Sequence, residues 1–133
     1  MRKLIPILLL NALLLTACAV PAEEASPVSY LQIDAYEAAS MMEKEENYII
    51  LDVRTFEEFE AAHIPGAICI PNESISDQPV EQLPDKDQLI LVYCRSGNRS
   101  KQASEKLVKQ GYTNIVEFGG ISSWPGETVS GIE

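Results

Sequence analysis

Residues 89–93, Leu-Ile-Leu-Val-Tyr, form a continuous apolar run bounded by polar residues. A run of that length without polar alternation reads as a parallel strand buried on both faces, and its place is the middle of a sheet. Shorter apolar runs at 30–33, 48–51, 67–70 and 114–118 read as four further strands. Between them the period changes. Asp34 stands ready to cap a helix through 35–42. Thr55, with Glu58 three residues on, has the capping-box spacing for a second helix, with Phe56 and Phe59 on its apolar side and Pro65 as its end. In 100–110 Ala103, Leu107 and Val108 share one helical face, and Gly111 stands where a left-handed C-terminal cap belongs. Residues 72–83 are polar and irregular, with room for one helical turn. Strands alternating with helices at this pace predict a three-layer α/β domain, with a central, mainly parallel five-stranded sheet and helices on both faces. Ligands of such sheets bind where strands end and helices begin.

The first residues read as an address rather than as fold. Arg2 and Lys3 precede an apolar run over 4–15 that is interrupted only by Pro6 and Asn11, the pattern of a signal-peptide core. The run is well short of the ~20 apolar residues that a membrane-spanning helix needs. It ends in Leu15-Thr16-Ala17-Cys18, which resembles the bacterial lipobox, with Cys18 as the residue to be lipidated. Residues 1–17 are then a lipoprotein signal peptide. Residues 18–29, rich in Ala, Pro, Glu and Ser, are a solvated tether, and 30–133 are the folded domain. The expected location is extracytoplasmic, on a bacterial membrane, held by lipid on Cys18.

The chain has 133 residues, 46% hydrophobic and 23% charged, which is ordinary for one globular domain. Ten basic against 20 acidic residues give a net charge of −10, and loss of Arg2 and Lys3 with the signal makes it −12. Such a charge repels nucleic acid, so no nucleic-acid partner is expected. Three cysteines are too few for a disulfide scaffold.

The chemistry gathers behind the central strand, in Cys94-Arg95-Ser96-Gly97-Asn98-Arg99, followed by Ser100. A cysteine at the carboxyl end of a buried strand, with a helix starting a few residues later, faces backbone N–H groups and the positive end of that helix. Such surroundings favour the thiolate, which is the nucleophilic form. Arg95 and Arg99 either add positive charge to the loop or are solvated on the surface. Gly97 allows the backbone to bend.

These residues carry a resemblance. Leu51-Asp52-Val53-Arg54 with Glu57-Glu58-Phe59, His63-Ile64-Pro65-Gly66-Ala67-Ile68, the cysteine loop, and Gly119-Gly120-Ile121-Ser122-Ser123-Trp124 occur in the order of the single-domain rhodanese-like sulfurtransferases. The resemblance implies that Cys94 attacks the outer sulfur of a small anionic donor such as thiosulfate, holds it as a persulfide, and yields it to cyanide or a thiol. The loop residues 95–99 would bind the donor, and neither metal nor organic cofactor is implied. Asp52 either orients groups at the loop or is a solvated carboxylate. Arg54 is expected to pair with Glu57 or Glu58 within one turn. His63 is expected to make a structural hydrogen bond, with a general base as the alternative, and Trp124 to be a core or rim aromatic. Many members carry Asn where Cys69 stands. Cys69 is expected to be a small buried residue, with resolution of a persulfide or a disulfide to Cys94 as the alternative.

Two other readings remain. Phosphatases and arsenate reductases on the same fold place five residues between cysteine and arginine to cradle a tetrahedral oxyanion, whereas four lie between Cys94 and Arg99. A catalytically silent docking module would have no need of Cys94 in an intact loop.

Overall fold

The computed structural model describes residues 29–132. The expected signal peptide, the tether as far as residue 28, and Cys18 lie outside the described residues. The elements are β1 (Leu31–Gln32), α1 (Ala35–Lys44), β2 (Tyr48–Asp52), α2 (Phe56–Ala61), β3 (Ile68–Cys69), β4 (Leu89–Cys94), α3 (Asn98–Lys109) and β5 (Ile115–Gly120). One-turn 3-10 helices follow β3 (Asn72–Ser74) and β5 (Ile121–Ser123).

Both helix starts are set by local chemistry. The Asp34 side chain accepts from the Glu37 N–H at 2.8 Å while the Glu37 carboxylate accepts from the Asp34 N–H at 2.9 Å, which satisfies two otherwise orphaned donors at the start of α1. Thr55 and Glu58 close the same box on α2. That helix stops at Ala61, four residues before Pro65, because Ala62 is extended and the chain then bridges from His63 to Val129. Phe59 is buried but Phe56 is 62% exposed, so the apolar side expected for α2 is one phenylalanine rather than two.

The five strands form one parallel sheet in the order β1-β5-β4-β2-β3. β4 is the middle strand, as its apolar run predicts. Its residues alternate between two cores. Ile90 and Val92 pack with Leu51, Ala103, Leu107 and Tyr112 on the α3 side, and Leu91 and Tyr93 pack with Ala38, Ile50, Val116 and Phe118 on the α1 side. Each such aliphatic side chain, fully buried, stabilises the fold by about 1.5–3 kcal/mol relative to exposure. Parallel neighbours need crossover connections. From β2 the chain leads outward to β3, and from β4 it leads the opposite way to β5. The carboxyl ends of β2 and β4 therefore flank a switch point, where α/β sheets open a crevice.

Register separates the two described cysteines. Cys69 pairs with Asp52 and Asp52 with Tyr93. Two strand spacings put Cys69 and Cys94 about 9–10 Å apart at Cα, beyond the roughly 7 Å that a disulfide spans. The alternative of a Cys69–Cys94 disulfide is therefore excluded without backbone movement.

Candidate active site

β4 ends in Cys94, and the next three residues turn the chain into α3. Gly97 makes the turn with φ +117°, a conformation that a side chain would strain. Its N–H then points back and lies 3.0 Å from Cys94 Sγ. Ser100 Oγ lies 3.4 Å from the same sulfur. Burial alone would push the Cys94 thiol up, but the Ser100 hydroxyl and the amides of Ser100, Gly97 and Ser96 outweigh it, and the thiol is held below its ordinary value. The helix α3 starts at this sulfur, and its N-terminal dipole favours the anion further.

The neighbouring strand completes the cradle. β4 and β5 slip out of register between Val92 and Cys94, so that Val92 faces Glu117 while Cys94 faces Gly120. This bulge turns Gly119 to φ +81° and directs its carbonyl toward the sulfur, 3.8 Å from Sγ. Gly120 packs directly under the loop: a β-carbon there would stand 1.9 Å from the Arg95 carbonyl oxygen. That carbonyl also accepts from the N–H (3.2 Å) and the hydroxyl (2.8 Å) of Ser122. The backbone of Arg95 is thus anchored while its side chain, like those of Ser96 and Asn98, is exposed.

The arginines divide by partner. Arg99 makes a two-point ion pair with Glu58, 2.7 and 3.1 Å, tying α3 to α2 across the crevice. Glu58 is held at about 2 by hydrogen bonding to Arg99, against the opposing effect of burial and with help from the Thr55 amide. A carboxylate with a folded value below its ordinary 4.5 contributes stability that is complete above that value and is lost as pH falls toward 2. Urea stability of the wild type should therefore fall between pH 4.5 and 2 more steeply than that of Glu58→Gln, and identical slopes would contradict the pairing.

Arg54 does not pair with Glu57 or Glu58 as expected from its place in the chain. It folds back two residues onto Asp52, whose carboxylate accepts from its Nε and Nη2 at 2.7–3.1 Å, and Nη2 also donates to the Ala62 carbonyl at 2.6 Å. The capping box and Arg99 already occupy Glu58. Asp52 is fully buried rather than solvated, and it orients Arg54, not the loop arginines. The pair supports the β2–α2 corner. Arg54→Lys keeps the charge but loses the planar fork, so it should cost about 2 kcal/mol in thermal or urea unfolding. An unchanged midpoint would show that the pair adds nothing.

His63 is buried, its Nδ1 2.8 Å from the Phe59 carbonyl and its ring stacked on Phe59 at 3.7 Å, a structural setting. Trp124 is half-buried and packs toward Phe118, 6.0 Å between centroids. Cys69 is half-buried, and burial together with the charge of Asp52 pushes its thiol up to about 11.

Sequence reading missed three participants. Ser100 and Gly120 stood inside quoted motifs without a role. Glu117, buried beside Ser100, had no signal beyond an acid in a strand-forming run.

The family described as Rhodanese-like domain matches residues 34–127. The chain is 38% identical over 71 residues to thiosulfate sulfurtransferase PspE of Escherichia coli, covering 53% of this chain and 68% of that protein. It is 33% identical over 107 residues to YrkF of Bacillus subtilis, covering 80% of this chain and 56% of that protein. A Candida albicans adenylyltransferase and sulfurtransferase is 36% identical over 100 residues, 70% of this chain and 23% of that protein. The chain thus spans about half of YrkF and under a quarter of the fungal protein. Among solved structures, a rhodanese with anions from E. coli superposes with a TM-score of 0.58 at 34% identity, over 63% of this chain and 99% of that one. With a match that runs from the cap of α1 to beyond β5 and takes in the whole Cys94 loop, the chain belongs to the rhodanese-like domain family.

Proposed function

We propose that this protein is a sulfurtransferase that carries sulfane sulfur as a persulfide on Cys94. The observation that carries the reading is a sulfur at a strand end, faced by the Gly97 and Ser100 amides at the start of α3. The Cys94 thiolate attacks the outer sulfur of a donor such as thiosulfate. A new S–S bond forms, the old one breaks, and sulfite leaves with its electron pair. The outer sulfur of Cys94–S–S⁻ is then taken by cyanide or a thiolate, and the Cys94 thiolate returns as the leaving group. Backbone N–H groups suit the anion at both stages.

The arginines enter differently. Arg95, exposed at the mouth, is free to meet an anionic donor, with Ser96 and Asn98 beside it. Arg99 positions the loop through Glu58. An oxyanion-cleaving role is less well supported, because the arginine that would clamp the oxyanion is already held at two points. Mass spectrometry after incubation with thiosulfate tests the reading, with a gain of one sulfur atom expected on the Cys94 peptide. No gain there would overturn it.

The proposed setting is extracytoplasmic, with residues 1–17 removed, lipid on Cys18, and 18–29 as tether. The lipobox pattern supports it. Cys18→Ser should move the protein out of the membrane fraction or leave its signal uncleaved; a wild-type protein found wholly soluble would contradict the anchor.

A further inference from the structure

Glu117 is a carboxylic acid in the middle of β5, 2% exposed, and no ion pair to it is found among the described residues. Its Oε1 accepts from Ser100 Oγ at 2.6 Å and from the Gly119 N–H at 2.9 Å. Burying an acid without a cation is costly, so such a group usually serves a purpose beyond packing. The basic residues at the start of α3, which packs against β5, are committed or exposed: Arg99 is held by Glu58 and Lys101 is exposed. From β1 the register partner is the uncharged Gln32, and from β4 it is Val92, so the titratable group nearest to it through a hydrogen-bonded path is Cys94.

The linking atom is Ser100 Oγ. It has one proton and four acceptors in reach: Glu117 Oε1 at 2.6 Å, Gly97 O at 3.0 Å, Gly119 O at 3.3 Å and Cys94 Sγ at 3.4 Å. One proton cannot serve both the carboxylate and the sulfur. We propose that Glu117 is a positioning residue that controls, through the single hydroxyl proton of Ser100, how readily Cys94 exists as a thiolate. While Glu117 is ionised, the short charge-assisted bond holds the Ser100 proton on the carboxylate side, and the serine oxygen accepts from the Cys94 S–H. Once Cys94 has lost its proton to solvent, the thiolate and the carboxylate compete for that one hydroxyl proton, and the shorter bond keeps it on the Glu117 side. The bulge at Gly119 matters here because its N–H fixes the carboxylate in line with Ser100.

The inference deepens the sulfur-carrier reading of Cys94, but its test reads the thiolate and not sulfur transfer. The full chain is alkylated with iodoacetamide across pH, and the adduct on the Cys94 peptide is followed by mass spectrometry, which separates it from Cys18 and Cys69. Glu117→Gln keeps an acceptor for Ser100 and Gly119 but removes the charge. It should lower the midpoint of Cys94 alkylation by about one pH unit or more, about tenfold more thiolate below the midpoint. In a Ser100→Ala background the same change should shift the midpoint much less. A profile superimposable on wild type, or an equal shift in both backgrounds, would overturn the proposal. If Glu117→Gln does not fold, Glu117→Asp keeps the acid but draws it back from Ser100, so the Cys94 midpoint should again fall; an unchanged midpoint would overturn the proposal. Alkylation that follows these profiles without any persulfide would instead count against the sulfur-carrier function alone.

Discussion

Cys94→Ser is expected to abolish transfer of sulfur from thiosulfate to cyanide while leaving the fold intact. A serine oxygen cannot form the persulfide that the two-step path requires, so the loss is total rather than graded. The replacement is smaller than the thiol it removes, and Ser100 Oγ and the Gly97 N–H, both within reach of the sulfur, can serve a hydroxyl as well. Thermal unfolding should therefore stay within a few degrees of wild type. Cys69 is not expected to substitute: a thiol pushed up to about 11 is only roughly one part in 10⁴ thiolate at neutral pH. Substantial turnover by the variant, or sulfur found on the Cys69 peptide, would remove Cys94 from the centre of the mechanism.

Gly120→Ala should cost about 100-fold in kcat/KM. A β-carbon at Gly120 would meet the Arg95 carbonyl oxygen at 1.9 Å, its carbon at 2.2 Å and the Ser96 nitrogen at 2.6 Å. All three are backbone atoms, so no side chain can swing aside to relieve the overlap. The loop has to move, and displacement of a reacting group by about 1 Å is enough for a loss of that order. The same overlap should lower stability by about 1–3 kcal/mol. Gly111→Ala is the control. Gly111 has φ +96° but nothing within 4 Å of an added carbon, so the change should cost stability through backbone strain and leave the specific activity of the folded protein unchanged. Equal losses of activity in both variants would mean that the Gly120 contact is not what shapes the loop.

The features that were readable from the chain alone share one property: their causes lie within a few residues. Capping at Asp34 and Thr55 depends on an acid three positions on. The strand at 89–93 needs only its own apolar side chains, and the nest at Cys94 needs only the glycine and helix start that follow it. Chain order of strands and helices was enough to give a parallel three-layer sheet. Partner choice was not readable, because it depends on which strands lie side by side. Arg99 finds Glu58 across 41 positions and Ser100 finds Glu117 across 17, contacts made only once β5 and β2 flank β4. Arg54 turned to Asp52 because Glu58 was already committed to the cap and to Arg99. The bulge that aims Gly119, and the contact that forbids a side chain at Gly120, are likewise products of register between β4 and β5, which local pattern does not encode. The kind of chemistry was therefore local, whereas the groups that tune it were chosen by strand order and register, since a buried polar atom takes whichever partner the packed sheet brings within reach.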